Sequence, residues 1–404
     1  MTELQALRDA YRQHKAALLA SLQAQGASTR GIHVLLRKFS RLADGLLTTL
    51  WQRAGLPPGL TLAAVGGFGR EQLFPHSDID VLVLQPTDLS APDTVREQVE
   101  AFIRSCWDAG LEIGSSVRSV EECLSEAAND VTVQTSLLEA RRVCGDAALF
   151  ARFEHQFGAQ LDPHAFLVAK TLEMRQRHTK HENTPYALEP NCKESPGGLR
   201  DLHLILWVAR AAGLGKRWDE LAHSGLATPY EVRQIQRNEA LLFLIRARLH
   251  AMAGRREDRL VFDLQTAVAE SLGYRSQTPE GARFPLRASE TLMRRYYWAA
   301  KAVTQLSQIL LLNIEERLNP PTQAPQPINA RFLDKNGLIE VASDDLYQRD
   351  PHAILETFLL YQSSTGLQNL SARTLRALYN ARGVMDAAFR RDPPVFGLGR
   401  QEPA

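Results

Sequence analysis

The chain of 404 residues is 44% hydrophobic and 23% charged, with a formal net charge of +1. This length exceeds what one ordinary hydrophobic core organises and predicts two or three domains. The composition excludes bulk disorder, and the near-zero net charge excludes a broad basic face for nucleic acid.

The beginning of the sequence has the pattern of an amphipathic helix. The first thirty residues alternate charged and apolar side chains at helical spacing, without the uncharged core of a signal peptide. No apolar run reaches the roughly 20 residues that a membrane span requires. The cysteines Cys106, Cys123, Cys144 and Cys192 form no CxxC pair, which predicts reduced thiols rather than a zinc site or disulfides. We therefore expect a cytoplasmic protein without a membrane partner.

The first part of the chain mixes helical and strand patterns. Residues 3–54 predict helices with a break near residues 26–28, and the texture changes from Leu60. The next elements are a strand in TLAAVGG, a strand in DIDVLVL, a helix over residues 94–108 and a strand in LEIGSSVRS. This order predicts a small α/β domain preceded by helices.

The rest of the chain is mostly helical. From Val120 to about Leu318 the apolar stripes predict a bundle with ordinary core packing. Residues 319–329 carry four prolines and predict a stiff, extended linker. Beyond it we expect a hairpin turn at Asn336-Gly337, a helix start at Asp350-Pro351 and a helix cap at Ser371.

The segment VGGFGREQLFPHSDIDVLVL, residues 65–84, carries the strongest chemical signal. Asp78 and Asp80 are two residues apart on a predicted strand, so their side chains leave the same face with Cα atoms roughly 6.5 Å apart. Carboxylates in this arrangement suit Mg²⁺, which takes one or two protein ligands and completes its shell with water or nucleotide phosphates. The spacing predicts a magnesium site for phosphoryl chemistry.

Glycines precede this carboxylate pair. Without side chains, Gly66 and Gly67 let backbone N–H groups approach phosphate oxygens at the start of a helical turn, and Ser77 offers a hydroxyl donor. Arg70 either contacts a phosphate or locks the turn by pairing with Asp78 or the backbone. A P-loop would need a Gly-Lys-Ser/Thr ending, and a dinucleotide fingerprint would need another glycine, so both are excluded.

Two-metal nucleotidyl transfer generally uses a third carboxylate from a neighbouring strand. Glu112, in the predicted strand LEIGSSVRS, is the candidate, with Asp108 just before it at a helix end. We therefore expect Asp78, Asp80 and Glu112 to form the catalytic and metal-binding set.

The pattern G-G-x-G-R-x-x-L-x-P-x-S-D-I-D, from Gly66 to Asp80, resembles the nucleotidyltransferase motif of the polymerase beta-like superfamily, in the form carried by bacterial protein-PII uridylyltransferases. Residues 111–124 also resemble that family. The resemblance implies an α+β fold with a small mixed-sheet nucleotidyltransferase domain embedded in, and followed by, a mostly helical bundle. It implies these segments: 1–55, N-terminal helices; 56–145, nucleotidyltransferase domain; 146–318, helical associated domain; 319–329, linker; 330–404, hairpin and helices.

A second motif lies in residues 186–210. The turn from Lys193 to Gly198 opens into an amphipathic helix, either as a plain cap or with the N–H groups of Gly198 and Leu199 available to an anion. Its core, K-x-x-x-G-G-x-R-D, matches the uridylyltransferases and is similar to one in glutamine synthetase adenylyltransferases. We assign Lys193 and Arg200 to triphosphate or substrate contact, while Asp201 holds Arg200.

Two further segments have both a functional and a purely structural interpretation. Residues 254–274 also resemble the family, but their arginines equally fit a solvated helix end. His178 and His181, with Glu182, stand at helical spacing and are interpreted as a solvated face because no further metal ligand is evident.

The resemblance implies transfer of UMP from UTP to a tyrosine of the PII nitrogen-regulatory protein, with Mg²⁺ and release of pyrophosphate. It extends to about Arg382, and the His-Asp pair of the family's phosphohydrolase domain is absent from the sequence. We therefore expect the N-terminal half of the family's architecture, without uridylyl removal or glutamine sensing, and an activity insensitive to glutamine. The alternatives are an adenylyltransferase-like enzyme acting on another protein and a non-catalytic regulatory fragment.

Overall fold

The computed structural model describes residues 3–24, 26, 28–87, 92–278, 285–320 and 323–391. Its helices are α1 (Glu3–Ala24), α2 (Ile32–Arg53), α3 (Gly66–Gly69), α4 (Pro92–Asp108), α5 (Val120–Asn129), α6 (Val131–Leu138), α7 (Ala147–Gln160), α8 (Pro163–Lys180), α9 (Leu199–Ala211), α10 (Trp218–His223), α11 (Pro229–Ala253), α12 (Phe262–Ser271), α13 (Ala288–Leu318), α14 (Leu346–Arg349), α15 (Ala353–Ser363), α16 (Ala372–Asn380) and α17 (Ala387–Arg391). Its strands are β1 (Thr61–Ala64), β2 (Ile79–Gln85), β3 (Ile113–Ser119), β4 (Arg141–Gly145), β5 (Gln326–Pro327), β6 (Phe332–Lys335), β7 (Leu338–Val341) and β8 (Asn369–Leu370).

The chain divides into two compact units. One comprises Met1–Trp207 and Arg233–Val303, and the other comprises Val208–Val232 and Thr304–Ala404. Within the described residues each unit contains a four-stranded sheet and helices. The prediction of an α+β fold with a small mixed sheet among many helices is confirmed.

The sheet of the first unit has the order β3-β2-β1-β4. β1 pairs antiparallel with β2 and β4, whereas β2 and β3 run parallel. The central strands β1 and β2 are almost wholly buried, in keeping with their continuous apolar runs, LAA and VLVL. Asp80 is the exposed exception in β2, since it stands near the strand's start where the sheet opens towards a cavity.

The sheet of the second unit has the order β5-β6-β7-β8 and covers an apolar core. The largest side chains of that core include Phe332, Tyr347 and Ile354. The predicted hairpin turn is confirmed: β6 and β7 are antiparallel, and Asn336 and Gly337 have positive φ angles of 53° and 80°. Part of the predicted linker, Gln326–Pro327, forms β5, and residues 321–322 lie outside the described residues.

Most predicted elements of the first unit are confirmed, including the helices on either side of the break at residues 26–28 and the three strands. Two helix ends in the second unit test the capping predictions. Ser371 caps α16 by accepting a hydrogen bond from the Thr374 N–H. The prediction for Asp350 is wrong, because α15 begins at Ala353 after His352, and the Asp350 carboxylate instead accepts a hydrogen bond from Arg331 at 2.5 Å.

All four cysteines are free, and Cys106, Cys123 and Cys192 are buried. Burial raises the pKa of each of these three thiols to about 12, and that of Cys144 to about 11. Among the described residues, no helix combines the length and apolarity needed to cross a bilayer.

Candidate active site

A cavity of ≈ 230 Å³ in the first unit brings together residues that are distant in the sequence. We call it the central pocket. Its lining includes Gly66, Gly67, Arg70, Ser77, Asp78, Asp80, Thr132, Thr135, Ser136, Glu139, Lys170, Glu173, Lys193, Arg200, Trp207, Arg246 and Arg256. Of the residues that the sequence nominates, only Glu112 lies elsewhere, so both motifs contribute to one cavity.

The two aspartates of the first motif face the central pocket together. Asp80 is the second residue of β2, and Asp78 immediately precedes the strand. Burial and the neighbouring Asp78 carboxylate raise the pKa of Asp80, while Arg256 and Lys193 oppose this effect. The side chain of Arg256 donates a hydrogen bond to Asp78 Oδ2. The pair therefore forms a concentrated negative charge that already attracts cations of the chain itself.

The glycine turn lies directly beside these carboxylates. The Val65 N–H donates to the Asp80 carbonyl at 3.0 Å, which ties the turn to β2. Gly66 has a φ of +56°, a backbone conformation that glycine adopts without strain. Gly66 and Gly67 then form the first turn of α3, where N–H groups have no carbonyl partner within the helix. The turn thus presents main-chain donors next to the aspartates.

Arg70 is held by a different carboxylate from the one considered in the sequence. Its guanidinium donates to Glu139 Oε2 and, through Nε, to Gln72 Oε1 at 2.9 Å, so the suggested pairing with Asp78 is wrong. Glu139 follows α6, and its other carboxylate oxygen accepts a hydrogen bond from the Trp207 indole. One buried carboxylate therefore links the first motif to the helix that follows the second motif.

The second motif contributes side chains to the pocket. Arg200 Nη2 and Lys193 Nζ lie 3.1 and 3.5 Å from Glu194 Oε1. Burial, together with Arg200 and Arg246, lowers the pKa of Lys193 to about 8. Burial alone would raise the pKa of Glu194, but Arg200 and the other cations outweigh it and lower that pKa. The excess of positive charge makes this wall of the pocket attractive to an anion.

The backbone of the second motif is not available to an anion, contrary to one alternative considered for it. The N–H groups of Gly198 and Leu199 donate to the carbonyls of Ser195 and Cys192 at 2.8 and 3.0 Å. The Arg200 N–H likewise donates to the Lys193 carbonyl at 2.9 Å. These N–H groups are all bonded within the motif, so any contact with a ligand is made by the side chains.

The sequence suggested that Asp201 holds Arg200, and this suggestion is wrong. Its buried carboxylate accepts hydrogen bonds from Arg177 Nη2 at 2.6 Å and from the Gly197 N–H at 2.7 Å, and lies 2.9 Å from His178 Nε2. The interpretation of His178 as part of a solvated face is therefore wrong. Asp201 acts as an internal anchor that fixes the turn before α9.

Glu112 does not complete the carboxylate set. It lies one residue before β3, which begins at Ile113, and its side chain does not line the central pocket. Glu112 lines a neighbouring small cavity with Tyr11, Lys15 and His76, and this cavity shares Ser77 with the central pocket. The position on β3 that pairs with Asp80 is Gly114, where a Cβ atom would lie 2.8 Å from Asp80 Oδ1.

Several residues of the central pocket were not nominated from the sequence. Lys170, Arg200 and Arg70 surround the Trp207 ring, with cationic groups 4.7, 5.4 and 5.9 Å from its centroid. Trp207 is itself buried, so it organises these cations rather than offering a face to a ligand. No local pattern distinguishes Lys170 or Trp207 from ordinary helix residues.

The segment after α11 reaches the first motif through an ion-pair network. Arg246 Nε donates to Asp258 Oδ1 at 2.6 Å, and His250 Nε2 lies 3.1 Å from the same oxygen. The His76 N–H donates to His250 Nδ1 at 3.3 Å, two residues before Asp78. Burial alone would raise the pKa of Asp258, but its bonds to His250 and Arg246 lower it. Arg256 belongs to this segment, whose arginines the sequence left open as a solvated end.

The residues present fit a magnesium ion shared with a nucleotide. Among the described residues there is no group of three or more potential ligand side chains that would hold a metal alone. Asp78 and Asp80 nevertheless supply the one or two carboxylates that Mg²⁺ takes when phosphate oxygens and water complete its shell.

A mixed sheet that presents paired carboxylates beside a glycine turn, within a helical surround, defines a nucleotidyltransferase-like protein of the α+β class. Residues 165–311 match the family model described as GlnD PII-uridylyltransferase, and residues 332–396 match that of the uridylyltransferase GlnD third domain. The chain belongs to the GlnD uridylyltransferase family.

Similar curated proteins carry the same family identity. The bifunctional uridylyltransferase/uridylyl-removing enzymes of Burkholderia mallei (strain ATCC 23344) and Burkholderia pseudomallei (strain K96243) are each 57% identical to this chain over 379 residues. The matched part covers 93% of this chain and 43% of each relative. The chain therefore spans less than half the length of these relatives.

Proposed function

We propose that the chain transfers UMP from UTP to a tyrosine hydroxyl of the PII nitrogen-regulatory protein. The tyrosine oxygen forms a bond to the α-phosphorus, the bond from that phosphorus to the bridging oxygen breaks, and pyrophosphate leaves. The hydroxyl proton passes to water. The family identity supports uridylyl transfer, and the description of the matching family model as a PII-uridylyltransferase supports PII as the acceptor.

The observation that carries the proposal is the distribution of charge in the central pocket. The carboxylates Asp78 and Asp80 lie next to the glycine turn, whereas the other carboxylates of the pocket, Glu139 and Glu173, are paired with Arg70 and Lys170. The cationic side chains around them are Arg70, Lys170, Lys193, Arg200, Arg246 and Arg256. A triphosphate with its metal ion has the complementary distribution, because the metal needs the carboxylates and the phosphate tail needs the cations.

Individual residues have distinct roles in this scheme. Asp78 and Asp80 hold Mg²⁺, which, when bound, neutralises triphosphate charge and aligns it with the incoming hydroxyl. The N–H groups of Gly66 and Gly67 and the Ser77 hydroxyl contact phosphate oxygens. Lys193 and Arg200 bind the leaving pyrophosphate as point charge and planar donor respectively. Arg256, released from Asp78, gains the phosphates as an alternative partner.

The test is a transfer assay with labelled UTP, Mg²⁺ and purified PII. We expect label on PII from the parent chain, a loss of about 1,000-fold in kcat for Asp80→Asn, and none for the exposed control Asp93→Asn. We expect the free energy of unfolding of Asp80→Asn to be no lower than that of the parent chain, because the folded state disfavours the ionised carboxylate at this site.

The competing functions give different results in the same assay. Faster labelling from ATP, or on glutamine synthetase in place of PII, would support an adenylyltransferase-like enzyme. Nucleotide binding without transfer, unchanged by Asp80→Asn, would identify a non-catalytic regulatory protein. Either result contradicts the proposal.

A further inference from the structure

One side of β3 carries unused main-chain hydrogen-bonding groups. β3 is the terminal strand in the sheet order β3-β2-β1-β4, so it pairs only with β2 in the described part of the sheet. The Ile79 N–H donates to the Glu112 carbonyl at 2.9 Å, which fixes the phase of this parallel ladder. Even-numbered residues of β3 therefore bond to β2, and the N–H and C=O groups of Ser115 and Val117 point away from the sheet.

This edge is accessible. Ser115 is exposed, and Val117 is 41% exposed despite its apolar side chain. Proteins usually cover or blunt a free edge, because it is a template for another strand. An uncovered edge beside a candidate active site therefore suggests a binding role.

A second cavity connects this edge to the carboxylates. It has a volume of ≈ 370 Å³ and lies between β3, from Gly114 to Arg118, and α6; we call it the β3 cleft. Asp80, Thr132 and Ser136 line both the β3 cleft and the central pocket. The two cavities thus meet at Asp80, and a group entering along β3 arrives at the carboxylate pair.

The charged residues of the two cavities indicate which substrate each cavity suits. The charged residues lining the β3 cleft, within the described residues, are Asp80 and Arg118, and Arg118 is already paired with Glu126 at 2.5 Å. The central pocket holds the cations that suit a phosphate tail. Because the attacking and leaving oxygens lie roughly in line across the phosphorus, the uncharged acceptor fits the β3 cleft.

The distance along the sheet selects the acceptor side chain. A strand added to β3 lies two strand spacings from β2, roughly 9–10 Å. Gly114 stands between the added strand and Asp80, and any side chain there would strike Asp80 Oδ1. Tyrosine, the longest side chain ending in a hydroxyl, covers most of this gap, and the Asp80 side chain, whose Oδ1 lies over Gly114, covers the rest, whereas serine and threonine are too short.

We propose that an extended, tyrosine-bearing segment of the acceptor protein pairs with the free edge of β3 as an added strand. Main-chain bonds to Ser115 and Val117 hold the segment, and its tyrosine passes over Gly114 to reach the carboxylates. This inference rests on the proposed function for the identity of the transferred group and of PII as the acceptor.

The test uses Ser115→Pro, which removes one outward N–H without removing a bond to β2, as proline does at edge strands. Ser115→Ala keeps the N–H and is the matched control. We expect Ser115→Pro to raise the KM for PII about ten-fold with kcat and UTP affinity unchanged, and Ser115→Ala to behave as the parent chain. Transfer by Ser115→Pro at the parent KM would overturn the proposal.

Hydrogen exchange on the parent chain provides a measurement independent of catalysis and of the variant's folding. We expect PII to slow exchange at the Ser115 and Val117 amides, and unchanged exchange at both would overturn the docking proposal. If the parent chain labels no PII, the proposed function fails, but slowed exchange at these amides still supports docking. If PII is labelled while Ser115→Pro matches the parent, the function stands and the docking fails.

Discussion

The chain has two glycine pairs, Gly66-Gly67 and Gly197-Gly198, each at the entry of a polar turn into a helix. At the first pair, the two glycines form the initial turn of α3, whose N–H groups have no carbonyl partner within the helix, and both residues line the central pocket. At the second pair, Asp201 and the Ser195 carbonyl accept the N–H groups at 2.7 and 2.8 Å. The first turn leaves its N–H groups without a partner inside α3, whereas the second turn uses its N–H groups in hydrogen bonds within the motif.

The two glycine turns therefore have different roles, although their sequences are similar. The first turn contributes main-chain donors and the aspartates that follow it. The second turn is a rigid base that projects Lys193 and Arg200 into the same cavity. A glycine pair before a helix is therefore insufficient to predict an anion site, because the neighbouring carbonyls and carboxylates decide whether its donors remain available.

Side-chain substitutions in the second motif should lower activity more than the glycine substitutions at either turn. We expect Lys193→Ala and Arg200→Ala each to lower kcat/KM for UTP by about 10- to 100-fold, since each removes a charge-assisted phosphate contact. Steady-state kinetics with PII and Mg²⁺ measure this, with the exposed Lys180→Ala as control. Equal activity in Lys193→Ala and Lys180→Ala would show that the second turn makes no contact with the nucleotide.

Alanine at each glycine pair should separate activity from stability. Gly197→Ala places a Cβ atom against the Ala300 backbone at a φ of +77°, and we expect a loss of about 3 kcal/mol in the free energy of unfolding. At Gly66 the nearest atom is Asp80 Oδ2 at 3.6 Å, so only the positive φ opposes alanine, at about 1–2 kcal/mol. Denaturant unfolding measures both.

The activity of Gly66→Ala should fall more than its stability suggests. A backbone shift beside Asp80 displaces the donors and the carboxylate together, and we expect about a ten-fold loss in kcat. Gly158→Ala, within α7 and without neighbours inside 4 Å, is the control for both measurements and should be neutral or stabilising. If Gly66→Ala keeps full activity, the first turn does not present its backbone to the substrate.

The smallest expected effect is on pH dependence. The pKa of Lys193 is lowered from 10.5 to about 8, so its ammonium is present below that pH and lost above it. We expect kcat/KM for UTP to decline a few-fold above pH 8, as this parameter reports the free protein. Lys193→Arg should abolish the decline, since guanidinium stays charged. An unchanged profile in Lys193→Arg would contradict the assignment.

The free energy of unfolding should respond to Lys193 in the opposite direction. Between pH 8 and 10.5 the unfolded chain binds a proton at Lys193 that the folded chain has released. Stability from this group therefore rises with pH across that interval. The two opposite trends distinguish Lys193 from a group whose loss simply unfolds the protein.

Local features of the fold and site could be predicted from the sequence. The helices around residues 26–28, the strands β1 and β2 and the hairpin at Asn336-Gly337 follow from periodicity and turn chemistry. The prediction that Asp78 and Asp80 share a face leads to residues that do line one cavity. Their roles in metal and nucleotide binding stay predictions.

Contacts over long sequence separations could not be predicted. Arg256 bonds to Asp78 across 178 residues, and Trp207 to Glu139 across 68, with no spacing rule connecting them. Glu112 was misplaced for a related reason, since packing around the sheet decides which cavity a side chain lines. Register and tertiary packing, rather than local propensity, determine these positions.

The buried thiols have a practical consequence for work on this protein. A thiol with a pKa of about 12 is ionised in roughly one molecule in 100,000 at pH 7, so Cys106, Cys123 and Cys192 react slowly with alkylating reagents. A cysteine introduced at an exposed position would outcompete them. Spectroscopic or cross-linking probes can therefore be attached at chosen surface positions with these three buried cysteines left in place.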